Sequence, residues 1–313
     1  MRDRVTDSGI LPCVTGKRSI KNARKPRVGI VGAGNLAGAL ALALRGTGYR
    51  IDQIITRDRP ASLRRARQLA GQVGASAVIR GKANIRADLV WFCVPDGSIA
   101  GAAEVLKEAA NWTDKVALHS SGALSSDVLA ELRRRGAAVA SVHPFMTFVR
   151  GSRPALLGVP FAIEGDTAAV RIARQVVKSL GGHAHSIRKQ DKAAYHAWGT
   201  FASPLLTALL VTSEQIAAAA GAPGKVARRR MLPIIEQTLA NYAAFGGAGA
   251  FSGPIIRGDV DTIKQHLRIL RNMPIASEVY VGLARAALAY LPGKNKGALE
   301  KSLKSLRRGK IGS

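Results

Sequence analysis

The chain has 313 residues, 47% of them hydrophobic, with six histidines, two cysteines and a formal charge of +27. That length and apolar content imply a sizeable core and room for two domains. Two cysteines, Cys13 in the leader and Cys93 inside an apolar run, exclude a disulfide framework and any cysteine-based metal site, and a reducing, cytoplasmic setting without a metal is expected.

Charge is concentrated at the ends. Residues 1–27 hold eight Lys/Arg against two acids, and residues 292–313 hold seven against one, so just over half of the excess stays on the body. Such a balance could serve nucleic acid, an acidic membrane surface or an anionic substrate. The ends lack aromatic interleaving and any helical stripe of basic residues, so solvated extensions are the expectation there. The leader has no apolar h-region, and Asp3 and Asp7 are unlike a transit peptide, so 1–25 is expected to be a basic, disordered extension. No apolar run reaches the length of a membrane span without Gly, Pro or polar interruption, and no membrane partner is expected.

Arg27-Val28-Gly29-Ile30-Val31-Gly32-Ala33-Gly34-Asn35-Leu36-Ala37-Gly38 is a short apolar run meeting paired glycines, followed at once by an Ala/Leu-rich helical pattern. It reads as a first strand, a phosphate-binding turn and a helix N-terminus, the opening of a dinucleotide-binding Rossmann fold. Gly32 allows the turn, Gly34 lets backbone approach a pyrophosphate, and the free N–H groups over Asn35, Leu36 and Ala37 hold phosphate charge. The second strand, Arg50–Arg57, ends at Thr56-Arg57 where NAD-preferring sites place an acid. A guanidinium there suits a 2′-phosphate, which favours NADP over NAD as the cofactor.

A basic helix (61–71) and a third strand (75–79) come next. Ala87–Asp96 is a continuous apolar run, the fourth strand, ended by Pro95. A helix (98–110), a strand (115–118) ending in His119-Ser120-Ser121-Gly122, a helix (125–135), a strand (138–142) leading into His143-Pro144, a strand (159–164) and a helix (168–180) complete this half. The alternation specifies an α/β fold with a doubly wound parallel sheet. Helices alone follow, over 191–220, 224–244, 259–270 and 274–290, separated by Gly-rich breaks. The expected organisation is a Rossmann domain over 26–188, a helical domain over 189–292 and a basic tail over 293–313.

The opening Val-Gly-Ile-Val-Gly-Ala-Gly-Asn-Leu-Ala resembles pyrroline-5-carboxylate reductase and its relatives, which join a Rossmann domain to a helical domain like the C-terminal part of 6-phosphogluconate dehydrogenase. Four motifs narrow this: His119-Ser120-Ser121-Gly122-Ala123, His143-Pro144, Tyr195-His196-Ala197 and Gly253-Pro254-Ile255-Ile256-Arg257-Gly258-Asp259. In that order they most resemble the Rossmann-like proteins with a C-terminal domain of unknown function, the 2520 family. The resemblance spans roughly residues 27–291. It implies an NAD(P)-dependent oxidoreductase, a homodimer through the helical half, and no particular substrate; no residue argues for a deazaflavin.

In an open α/β sheet, ligands sit beyond the carboxyl ends of the strands. That places Val94, Pro95 and Asp96 at the cofactor and His119, Ser120 and Ser121 at the substrate, although the Ser-Ser-Gly turn could equally be a helix-opening turn capped by Ser125. His143-Pro144 is similar to the His-Pro pair of prephenate dehydrogenases, and its imidazole could polarise a carbonyl or exchange a proton. Lys192, Tyr195 and His196 share one helix face. β-Hydroxyacid dehydrogenases place a Lys and an Asn four apart on the corresponding helix; here they are Lys192 and His196. The expected proton-transfer groups are therefore His143, Lys192 and His196. Asp259 is expected to cap a helix, with Arg257 available to clamp an anionic substrate. The reading is an NADP(H)-dependent oxidoreductase acting on a small, anionic carbonyl or imine compound. The rival is a catalytically silent NADP-binding regulator or nucleic-acid-associated protein using the basic surface.

Overall fold

In the computed structural model, residues 25–152 and 154–308 are described, with 305–308 as backbone only. Most of the basic leader, with Cys13, and the last five residues lie outside them. The chain divides into two compact units, one ending at Gly199 and one beginning at Thr200.

The first unit is built on an eight-stranded sheet of order β3-β2-β1-β4-β5-β6-β7-β8. Strand β1 (Val28–Val31) is wholly buried and lies between β2 (Ile51–Thr56) and β4 (Leu89–Phe92), both parallel to it. Side chains alternate between the faces, and each face has its own core. Ile30, Leu89 and Trp91 join one cluster with Leu40 and Leu44; Val31, Val90 and Phe92 join the other with Ile99 and Leu106. Burial on both faces is why these strands read as unbroken apolar runs.

Helix α1 (Asn35–Gly46) buries Ala37, Leu40, Ala41 and Leu44, an i, i+3, i+4, i+7 stripe. Helix α2 (Pro60–Val73) follows β2 and leads to β3 (Ser76–Ile79). Helix α3 (Ile99–Leu106) follows β4, and β5 (Val116–His119) is followed by a 3₁₀ turn, Ser126–Leu129, and the short α4 (Ala130–Arg134). Ser125 caps that turn as expected, its hydroxyl accepting from the Asp127 N–H.

Strand β6 (Ala138–Pro144) completes the parallel set, but β7 (Pro160–Gly165) runs antiparallel to it. Among the described residues no helix separates the two, and a parallel return needs a crossover. Helix α5 (Thr167–Ser179) then carries the chain to β8 (His183–Ser186), parallel to β7. That strand has no apolar run, because its edge position leaves it largely exposed.

Helix α6 (Lys192–Thr200) begins where a helical domain is expected, yet all but its last residue falls in the sheet unit, so the division lies eleven residues beyond 188. Its side chains complete that unit's site. A π-helical turn, Phe201–Leu205, holds Pro204, which lacks an N–H for the α-helical ladder.

The second unit contains α7 (Leu206–Ala219), α8 (Lys225–Ala250), which bends at Gly246, α9 (Pro254–Arg257), α10 (Val260–Leu270), α11 (Pro274–Tyr290) and α12 (Lys296–Arg308). Its core joins Ile263 and Leu267 of α10, Ala284 and Leu288 of α11, and Leu299 and Leu303 of α12. The stretch set apart by charge as a tail therefore supplies a packed amphipathic helix; its leucines repeat at i, i+4 beneath the basic residues. Among the described residues one helical run, Lys189–Ala219, is long and apolar enough by length and composition to cross a membrane, with a window of mean hydropathy 1.2, none of it buried. Gly199 and Pro204 interrupt it.

Candidate active site

At the carboxyl ends of β1, β2 and β4 a cleft of about 210 Å³ is lined by Gly32, Ala33, Gly34, Thr56, Arg57, Val94 and Pro95, all but Ala33 expected from the sequence. Gly32 is obligatory: its φ is +122°, and a β-carbon there would collide with the Cys93 carbonyl. Gly34 opens α1 with no side-chain cap, so the first N–H groups of that 12-residue helix keep their capacity for an anion. Of the remaining expected contacts, Asn35 donates to the Phe148 carbonyl (3.1 Å), Leu36 packs against the core and Ala37 is buried within it.

Two arginines in the lining were not foreseen: Arg65 of α2 and Arg80, just past β3. Arg57 Nε donates to Ser62 Oγ (3.1 Å), and none of the three guanidiniums forms an ion pair among the described residues. Burial, followed by the charge of Arg57, pushes the Arg80 guanidinium below its ordinary range. Three cations gathered without an acid make a site for an anion with more than one charge. The sequence signal was slight, since Arg65 is one of several arginines on a basic helix and Arg80 follows a weak strand.

The second cluster forms at the ends of β4, β5 and β6 against α6. Ser121 Oγ donates to Asp96 Oδ2 (2.7 Å) and accepts from the Ala123 and Leu124 N–H groups (3.2 and 2.9 Å). Ser120 Oγ accepts from Trp91 Nε1 (2.8 Å). His119 is fully buried; its Nδ1 accepts from the Ser121 N–H, and the remaining nitrogen, Nε2, donates to the Ser125 carbonyl (both 3.1 Å). Burial, then the charge of Lys192, lowers its pKa to about 3, so it is a neutral, fixed tautomer. These three side chains, expected to meet substrate, hold together the turn that leads from β5 to the 3₁₀ turn, where buried polar groups are satisfied internally.

Lys192 is likewise sealed. Its Nζ donates to Ser141 Oγ (2.7 Å) and to the Ser121 carbonyl (3.1 Å), and the residue is 0% exposed. Glu164, another buried group that periodicity did not single out, accepts from both the N–H and the hydroxyl of Ser126 (2.6 and 2.9 Å).

His143 and His196 stand on either side of Gly122. A β-carbon on Gly122 would lie 2.6 Å from His196 Cδ2 and 2.8 Å from His143 Nε2, so only glycine fits the gap. The rings meet edge to face at 6.1 Å, and Tyr195 meets His143 likewise at 5.6 Å. The aromatic wall continues through Phe145, 5.2 Å from Tyr195 and 4.5 Å from Trp198. Burial first, then the charges of Lys192 and His196, holds His143 near pKa 4, whereas burial pushes the Tyr195 phenol up to about 12. His143 Nδ1 and the Tyr195 hydroxyl are both buried without a partner in the described structure. Two unsatisfied polar atoms in one aromatic cluster mark a place built for something more than packing.

Arg257 belongs to the helical unit, where it pairs with Asp259 (2.8 Å). Asp259 precedes α10 as expected, but its carboxylate makes no cap hydrogen bond because that guanidinium holds it. Among the described residues no group of three or more His, Cys, Asp or Glu side chains could hold a metal.

Two family models match the chain, a Rossmann-like domain over residues 12–144 and DUF2520, a domain of unknown function, over residues 159–287. The chain thus combines the two domains that its four motifs resemble. No curated protein matches it. Among solved structures, a Bacteroides fragilis protein assigned as an NADP oxidoreductase is 24% identical with a TM-score of 0.72, covering 84% of this chain and 97% of its own. A Thermotoga maritima protein is also 24% identical, at TM-score 0.64 and coverage of 90% and 100%. A reductive aminase from Aspergillus terreus, in complex with NADPH and ethyl-5-oxohexanoate, is 15% identical at TM-score 0.60, covering 89% and 99%. These likenesses establish the fold.

Proposed function

We propose that this Rossmann-like, DUF2520-bearing chain is an NADP(H)-dependent oxidoreductase acting on a small carbonyl or imine compound. An anionic substrate suits the chain's positive balance. The observation that carries the reading is the cleft at the Gly32 turn, where a free helix N-terminus faces backbone glycine and three guanidiniums stand without an acid. Those residues fit a dinucleotide with a 2′-phosphate: Gly32 and the start of α1 for the pyrophosphate, Arg57, Arg65 and Arg80 for the extra phosphate. The names of the B. fragilis and A. terreus proteins agree with this.

A nicotinamide cofactor supplies or accepts hydride when bound. The chain's own part is to manage the proton. His143 stays uncharged through the neutral range and offers a lone pair or an N–H; His196, across Gly122, is the more exposed imidazole and the one through which a proton exchanges with solvent. Tyr195 remains a protonated phenol and donates a hydrogen bond to a developing oxygen or nitrogen charge. Phe145 and Tyr195 exclude water from one side. We also infer a homodimer through the helical unit, supported by Ile234, Tyr242 and Phe245 of α8, each more than three-fifths exposed.

Calorimetric titration with NADPH and NADH tests the reading. Selective NADPH binding is expected, and Arg57→Asp weakens it by about 10- to 100-fold, the worth of a charged hydrogen bond, while barely touching NADH. A folded protein that binds neither cofactor but retains nucleic acid in a steeply salt-dependent manner would overturn it in favour of a nucleic-acid-associated protein.

A further inference from the structure

Lysine is almost never fully buried unless paired, and an ammonium taken out of water needs compensation. Lys192 is sealed in the sheet unit with no carboxylate in contact among the described residues. The oxygens of Glu164 are taken by Ser126, and Asp96 Oδ2 is taken by Ser121. What Lys192 does touch is informative. Its two acceptors, the Ser121 carbonyl in the turn after β5 and Ser141 Oγ on β6, come from different segments, and Ser141 Oγ donates to that same carbonyl (3.2 Å), closing a three-membered ring of contacts. Gly122, the glycine between the imidazoles, is the residue after Ser121. His143 is two residues after Ser141, on the same strand face.

We propose that Lys192 is a positioning residue: from its sealed seat it clamps the Ser121 carbonyl to the Ser141 hydroxyl, and so fixes the Gly122 gap and the His143 and His196 rings on either side without meeting substrate. The proposal rests on the oxidoreductase reading for its purpose but not for its test. The clamp has an electrostatic side. Around His143 stand Asp96 from the β4 turn, His119 from β5, and Lys192, Tyr195 and His196 from α6; of these Asp96 favours the imidazolium, and Lys192 and His196 oppose it. Burial lowers the Lys192 pKa, and Glu164 and Asp96 oppose that at longer range; carried as an ammonium, Lys192 is the strongest of the charges that keep His143 neutral.

The experiment is an NMR titration of the histidine Cε1–Hε1 signals in the full-length protein. Wild type is expected to show His143 titrating near 4, far below an ordinary histidine. Lys192→Met moves that titration upward, and Lys192→Arg, which keeps the charge, leaves it low; circular dichroism and a thermal melt establish that each variant is folded. An unmoved His143 in a folded Lys192→Met protein would overturn the proposal. If neither variant folds, the Nζ signal of Lys192 in the native protein decides: an ammonium at neutral pH supports the clamp and a neutral amine sinks it. With a substrate in hand, Lys192→Met shifts the acid limb of the kcat–pH profile upward, whereas loss of the basic limb would make Lys192 the proton donor and refute positioning. Failure of every carbonyl and imine to oxidise NADPH would strike the oxidoreductase reading and leave the NMR outcome standing.

Discussion

The sheet unit hides most of its large side chains, with Trp198 and Leu157 among the exceptions, and the helical unit displays many of its own. Trp91, Phe92, Trp112 and Phe161 are at most 1% exposed, all between or beside strands with a core on each face. In the helical unit, by contrast, Ile234, Tyr242, Phe245 and Ile275 are 63–69% exposed, and its largest buried cluster is the small one formed by α10, α11 and α12. A unit that buries most of its bulk in two cores can be stable alone; bulky apolar side chains left exposed in the other are what a covering partner would bury. The difference teaches where stability and association reside.

The largest effect is expected from Trp112→Ala. The indole is 1% exposed and its Nε1 donates to the Lys107 carbonyl (3.0 Å), so truncation leaves a cavity and an unpaired acceptor. A loss of about 3–5 kcal/mol in urea unfolding is expected. Tyr242→Ala, at a side chain of similar bulk, is expected to leave the unfolding of the isolated monomer nearly unchanged. Equal losses at the two positions would erase the contrast.

Acid provides the next largest. The folded-state pKa of His119 is depressed from 6.5 to about 3, so protonation favours the unfolded chain. Stability from this group is complete above pH 6.5 and falls as pH drops through the window from 6.5 to 3, by about 1.4 kcal/mol per pH unit. His143, depressed to about 4, adds to the slope in the same direction. Urea midpoints at pH 7, 5.5 and 4.5 should decline with the sheet unit melting first. His119→Gln, less stable at neutral pH because the turn loses its acceptor, should decline less steeply. A flat wild-type profile would mean that the fold does not depress His119 below the unfolded chain.

Phe245→Asp addresses the other half of the contrast. If α8 is covered by a second copy, a charge in place of a buried ring removes about 1.5–3 kcal/mol of burial at each site, enough to weaken association by an order of magnitude or more. Light scattering should show the mass halve at micromolar concentration. A wild type that is already monomeric would leave the exposed face of α8 without the occupant inferred for it.

Legibility in the sequence follows the same contrast. Strand runs such as Leu89–Phe92 and stripes such as Ala37–Leu44 were readable because both-face burial and helical periodicity are local patterns. The Gly32 turn was readable for the same reason, since paired glycines between an apolar run and a helical pattern are a local signal, although the Cys93 carbonyl that crowds Gly32 is not. The antiparallel β7 was not, because direction depends on a missing crossover rather than on the strand itself. Nor was β8, since an edge strand buries too little to need apolar residues. At the site, types and neighbourhood were legible and assignments were not. The proximity of His143 and His196 followed from strand ends and one helix face. That Ser120 pairs with Trp91, Ser121 with Asp96, and Lys192 with Ser141 and the Ser121 carbonyl could not, since hydrogen-bond partners 25 to 71 residues apart leave no periodic trace. Arg80 needed the fold to bring it beside Arg57.

The smallest effect is expected from Arg228→Ala. Arg228 joins α8 to α7 through Glu214, with contacts of 3.0 and 3.3 Å, and the carboxylate raises the guanidinium pKa. Geometry alone would rank this bidentate pair among the better joints of the helical unit. The guanidinium is nevertheless 60% exposed, so water competes for it and salt screens it, and holding two long side chains in register costs entropy. The thermal midpoint of Arg228→Ala should therefore stay within scatter of wild type, and should do so equally at low and high salt. A fall approaching that of Trp112→Ala would mean that charge pairing, rather than apolar contact, holds α7 to α8. The helical unit would then owe its stability to its surface, and its exposed aromatic residues would no longer require a partner.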